Sequence, residues 1–147
     1  MKPRHHERGA SMLETALVVS VLVAVIFGIM EFGRFMYTYA YIAQIAREGA
    51  RWAIVRGSGC TVLNACGANS TQVANYVASL SEGVTNPAKL TATATWPNTG
   101  CPPGSTGNAP GCPVVVKVTY QYGFTLIPFL ASVPVTLSTQ SQMVISE

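Results

Sequence analysis

The sequence predicts an α+β chain: a long N-terminal helix, membrane-spanning in its first half, packed on a small three-stranded antiparallel sheet with one extra helix. Three observations predict it. Residues 10–30 contain a single charge. Residues 32–53 repeat apolar side chains every three or four positions, and three later runs alternate apolar with polar residues. The 147 residues leave room for one domain, not two. Apolar residues make up 49% and charged ones 10%, against about 25% charged in an ordinary soluble domain. There is no Asp, and His5 and His6 are the only histidines. Such a chain lacks the His or carboxylate pairs that most acid/base chemistry needs. Its net charge of +3 gathers at the N-terminus rather than in a patch, which argues against nucleic-acid binding.

Residues 1–9 read as a basic leader, with Lys2, Arg4 and Arg8 against Glu7. Ala16–Met30, ALVVSVLVAVIFGIM, then runs 15 residues without a charge. From Ala10 the low-charge stretch is 21 residues, or about 31 Å of helix, one hydrocarbon core. The basic residues before it place the N-terminus in the cytoplasm. A secretory signal would begin in the same way. The run closes in GIMEFGRF, however, without a small-x-small cleavage site, so an uncleaved anchor is expected.

The helix is expected to continue to about residue 55, giving 10–56 as its segment. Phe32, Phe35, Tyr39, Ile42, Ala46, Ala50 and Ala53 form one apolar stripe, with Arg34, Thr38, Gln44, Glu48 and Arg51 mostly on other faces. Glu31–Arg34 and Glu48–Arg51 read as i,i+3 pairs, each contributing about 0.2–0.5 kcal/mol. Gly57, Ser58 and Gly59 stop the helix. In its first half Ala16, Ser20, Ala24 and Gly28 recur every four residues. Such a narrow small-residue face favours close helix–helix packing in lipid.

Residues 57–147 read as a small α/β cap with few charges. Thr71–Glu82 has Val73, Tyr76, Val77 and Leu80 at helical spacing, with Ser70 as the expected N-cap. Three strands follow, in KLTATATW, VVVKVTYQY and VTLSTQSQMVIS. Their inward faces are Leu90, Ala92, Ala94 and Trp96; Val114, Val116, Val118, Tyr120 and Tyr122; and Val135, Leu137, Met143 and Ile145. The stripe of the long helix is the partner these faces need. Phe124–Pro134, FTLIPFLASVP, is expected to plug one end of the core; the alternative is an exposed patch for a partner. Cys60, Cys66, Cys101 and Cys112 match no zinc spacing, and no His lies near them. Three disulfide connectivities are possible; local pairing, Cys60–Cys66 and Cys101–Cys112, is expected in an oxidising compartment.

Glu14 is the single charge within the low-charge segment, which makes it a functional candidate. If the chain were cut after Gly9, Ala10 would carry a new ammonium. The Glu14 carboxylate of a staggered parallel neighbour could neutralise it and fix the register.

A basic leader, a Gly, a Glu five residues on and an apolar helix together resemble type IV pilin-like precursors. The stretch GASMLETALVVSVLVAVIFGIMEFGRFMYTYAYIAQIAREGARWAIV is similar to the TadE-like family of the tight-adherence (Flp) pilus system, above all in IMEFGR and AREGARWA. Ser20 stands where many relatives have a proline, which removes a kink. The resemblance implies a pilin-like fold, cleavage after Gly9 by a membrane prepilin peptidase, and a minor-pilin or pseudopilin role beside pilin and other pseudopilin subunits. The implied location is the bacterial inner membrane, with the cap periplasmic and entry of the chain into the pilus left open by the resemblance. The alternative is an unprocessed anchor presenting a periplasmic binding or adhesive domain. The expectation is a non-enzyme without cofactor, metal, nucleic acid or small-molecule substrate.

Overall fold

The computed structural model describes residues 5–125 and 134–146, with side chains from Ser11 onward. Helix α1 spans His5–Ile54, α2 spans Ser70–Ser79, and strands β1, β2 and β3 span Leu90–Thr95, Pro113–Tyr122 and Val135–Val144. Single 3-10 turns at Ser81–Gly83 and Pro87–Lys89 join α2 to β1. The strands form one antiparallel sheet in the order β1-β2-β3. This is the α+β architecture that the periodicities predict. The helix begins earlier than expected, at His5 rather than about residue 11. No proline or capping signal lies between His5 and Ala10, and one glycine does not end a helix.

The core lies between the second half of α1 and the sheet, with α2 at its edge. Ile42, Ile45, Ala46, Ala50 and Ala53 of α1 meet Val114, Val116, Val118, Tyr120 and Leu137. β2 is the central strand, and its even-numbered residues from Val114 to Tyr122 are all buried, as alternation predicts. Small residues on α1 let it lie close. A Cβ on Gly49 would stand 2.6 Å from Val77 Cγ2 and 3.3 Å from Val116 Cγ1.

Two details of the stripe differ from expectation. Phe32 and Tyr39 are 63% and 47% exposed. Glu31 and Thr38, at 2% and 6%, face inward instead. A helix face follows its partner rather than its hydropathy; the sheet offers Glu31 a polar group, and Thr38 satisfies its hydroxyl within the helix. The Thr38 hydroxyl donates to the Arg34 carbonyl (2.9 Å), and Glu31 is met by Tyr122.

The N-cap of α2 is Asn69, not Ser70. Asn69 Oδ1 accepts from the Gln72 amide (2.9 Å) and Gln72 Oε1 accepts from the Asn69 amide (3.0 Å), a reciprocal cap. Ser70 Oγ accepts instead from the Ala94 amide, joining α2 to β1. α2 also stops at Ser79, short of Glu82.

Cys60 pairs with Cys66 and Cys101 with Cys112 at disulfide distance. The loop between β1 and β2 turns through glycines, among them Gly111 at φ 84°, where a Cβ would also meet Pro102. At the far end of the sheet the Ser146 amide donates to the Ile54 carbonyl (3.1 Å), closing β3 onto the end of α1. Of Phe124–Pro134, residues 126–133 lie outside the described residues, as do Lys2 and Arg4 of the leader.

Candidate functional site

The sequence-derived candidates other than the four cysteines lie on α1. Gly9 and Ala10 stand within its first two turns; their side-chain surroundings lie outside the described residues. Glu14 follows Ala10 by four residues, one turn on, and is exposed. Ala16, Ser20 and Ala24 are exposed and Gly28 is half-buried. Nothing lies within 4 Å of a Cβ built on Gly28. Two hydroxyls of this half, those of Thr15 and Ser20, are satisfied by the helix itself. Thr15 Oγ1 donates to the Ser11 carbonyl (2.9 Å) and Ser20 Oγ to the Leu17 carbonyl (2.8 Å). The face at Ala16–Gly28 therefore offers close approach without an unsatisfied donor. Among the described residues, Ser11–Ile54 holds one helix long and apolar enough to cross a membrane.

The structure adds a second site, where the apolar segment of α1 meets the cap. Glu31 is buried beneath the end of β2. Its Oε1 accepts from the Tyr122 hydroxyl (2.7 Å) and the Thr125 amide (3.4 Å). Its Oε2 lies 3.6 Å from Arg34 Nη1, and the same guanidinium donates to Thr125 Oγ1. Phe35 and Phe124 both stand edge-on to the Tyr122 ring, with centroids 5.4 Å away. Burial, and then the Glu31 carboxyl beside it, push the Tyr122 hydroxyl up to about 12. It therefore remains a protonated donor across the neutral range. A buried carboxyl needs such partners, since an unsatisfied one costs several kcal/mol.

Sequence reasoning placed Glu31 in a surface pair with Arg34. That pair exists, but it is the minor part of the site. The missing signal was the partner on β2, 91 residues away. A clue was present: Glu31 interrupts an apolar run at a position where helical spacing from Phe35, Ile42 and Ala46 points inward.

Further along α1, the Tyr41 hydroxyl donates to the Leu80 carbonyl (2.6 Å) and accepts from the Gly83 amide (3.1 Å). The four cysteines sit away from Glu31, around the loops at the other end of the cap. No group of three or more His, Cys, Asp or Glu that could hold a metal occurs among the described residues.

A family model described as TadE-like protein matches residues 9–51. The match covers under a third of the 147 residues and nearly the whole of α1. It includes Gly9, Glu14, the small-residue face, Glu31, Arg34 and Gly49. The similarity to TadE-like proteins is thus confined to this helix. No curated protein and no solved structure matches the chain.

Proposed function

We propose that the chain is a minor-pilin or pseudopilin-like component for assembling a tight-adherence, Flp-type pilus. In this reading α1 anchors it in the inner membrane, with the N-terminus cytoplasmic and the cap periplasmic. A prepilin peptidase cleaves after Gly9, leaving Ala10 at the new N-terminus. The observation that carries the reading is the TadE-like match over residues 9–51. It falls on the one element that would enter lipid and meet other subunits. Two physical features support it. The Ala16–Gly28 face is made of small residues and is exposed at Ala16, Ser20 and Ala24, as helix packing in lipid requires. Glu14 sits exposed in an apolar stretch, where pairing with a neighbour's ammonium would neutralise both charges.

The test is N-terminal sequencing and intact mass of the protein from membranes of its native host. A chain beginning at Ala10 supports processing, and Gly9→Ala is then expected to accumulate the uncut form. A chain still beginning at Met1 would move the function to an unprocessed anchor presenting a periplasmic binding domain. Normal maturation of Gly9→Ala would remove the cleavage site from the proposal.

A further inference from the structure

The cap and the apolar segment overlap in height. A groove of about 330 Å³ is lined by Gly28, Glu31, Phe32, Phe35, Phe124 and Val135. Gly28 belongs to the charge-free run that ends at Met30, whereas Phe124 and Val135 belong to the cap. At a rise of 1.5 Å per residue, Gly28 lies about 3 Å below Met30 along the axis. The end of the sheet that carries Tyr122 and Val135, paired in register, thus reaches the last turn of the apolar segment.

β1 begins at the same end, since Leu90 pairs with Tyr120. This brings in Lys89, whose Nζ lies 3.9 Å from the Cβ position of Gly123. Arg34 stands one turn above Met30. Apart from Glu31, the acidic residues described on the cap side lie elsewhere. Glu48 is several turns up α1, and Glu82 sits beside Gly83, whose amide meets Tyr41. The described lower end therefore presents Lys89, beside an Arg34 already paired with Glu31 and Thr125, above a rim of Phe32, Phe124 and Val135. Phe32 is mostly exposed there. An apolar rim level with the edge of the hydrocarbon, with a long basic side chain able to reach the headgroups above it, fits a bilayer interface.

We propose that this end of the cap is a lipid-contact surface. It would seat the cap on the bilayer, with phosphate headgroups against Lys89 and the acyl boundary against the groove. The groove is continuous with the lipid-facing helix at Gly28, and its one carboxyl is already engaged by Tyr122 and Thr125. The inference rests on the reading of α1 as a membrane span.

The test uses the full chain in vesicles of phosphatidylethanolamine and phosphatidylglycerol with brominated acyl chains. Phe32→Trp, Phe124→Trp and Val144→Trp are made singly. Val144 is exposed at the opposite end of the sheet, where β3 pairs with Pro113. Trp52 and Trp96 stay in place as a constant background. Brominated lipid is expected to remove most of the added emission at positions 32 and 124 and to leave that at 144. Gln121→Trp, on the exposed face of the same strand end, is the second reporter should Phe124→Trp not fold. Quenching at 32 without quenching at 124 or 121 overturns the proposal and leaves the span standing. No quenching at 32 removes the span itself. Blue-shifted but unquenched emission at 124 means that a protein segment, such as a helix of a second copy, fills the groove, and this also overturns the proposal. Lys89→Glu is expected to weaken quenching at 124 in these anionic vesicles; unchanged quenching would refute the headgroup contact.

Discussion

Removing the Glu31 carboxyl would leave the Tyr122 hydroxyl and the Thr125 amide without their acceptor, both at the edge of the core. Glu31→Ala is expected to lower stability by about 1–3 kcal/mol, as is usual when a buried donor loses its partner. Tyr122→Phe should have a comparable effect. The double variant should fall short of the sum, because the two share one interaction. Denaturant unfolding in detergent micelles measures all three; strict additivity would show that the hydrogen bond carries no coupling. Tyr122 also has a pH signature. Its hydroxyl is held protonated up to about 12, against an ordinary value of 10.0. Below pH 10 the tyrosine is neutral in both folded and unfolded chains, so its contribution is intact. Between pH 10 and about 12 the unfolded chain ionises first, and stability falls with rising pH. A near-ultraviolet absorbance titration should therefore show one late phenol, absent from Tyr122→Phe. The sequence reveals that Glu31 is unusual only through its place in IMEFGR. Its burial depends on Tyr122, and no local pattern links positions 91 residues apart.

The elements were easier to read than their contacts. α1 follows from a long apolar run and the absence of proline between Met30 and Pro87. The strands follow from alternation that the burial of β2 repeats residue by residue. The inward face of α1 was misjudged at Phe32 and Tyr39 because aromatic residues were given priority over Glu31 and Thr38. The second-helix cap was misjudged because Asn69 and Ser70 are both good caps, and only the Gln72 side chain decides between them. Two glycines of α1 separate packing from assembly. Gly49→Ala puts a methyl 2.6 Å from Val77 Cγ2 and 3.3 Å from Val116 Cγ1, so a loss of about 1–3 kcal/mol is expected from overpacking. A Cβ at Gly33 meets nothing within 4 Å, so Gly33→Ala should hold or raise stability by about 0.5–1 kcal/mol. Thermal unfolding distinguishes them. A Gly33→Ala chain that is stable yet fails to support pili would place its role in contacts between subunits. The disulfides act at the same scale. Cys101–Cys112 closes the longer loop, with a sequence separation of 11 against 6. Replacing both of its cysteines with Ser should therefore lower the melting temperature more than the same change at Cys60–Cys66.

At the scale of the whole molecule, one helix serves two environments. Its second half is held by the cap at Glu31, at Gly49 and at Ile54. Its first half keeps Glu14 and the Ala16–Gly28 face exposed. Changes in the first half should therefore spare the fold of the cap and act only where chains meet. Glu14→Ala is the sharpest case. The side chain is exposed, so the cap should unfold at the temperature of the parent. Cleavage after Gly9 should continue, because the scissile bond lies four residues away and Glu14 is proposed to act afterwards. What should fail is assembly, since the Ala10 ammonium of one subunit would enter lipid beside a neighbour without its counter-charge. Ionised groups at that depth cost about 2.5–3.5 kcal/mol on insertion scales, enough to disfavour the staggered register. Pilus abundance on cells, measured with the processed fraction and the melting temperature of the same variant, separates the possibilities. Normal piliation would end the charge-pairing idea. Lost piliation with an uncut chain would instead make Glu14 a determinant of processing.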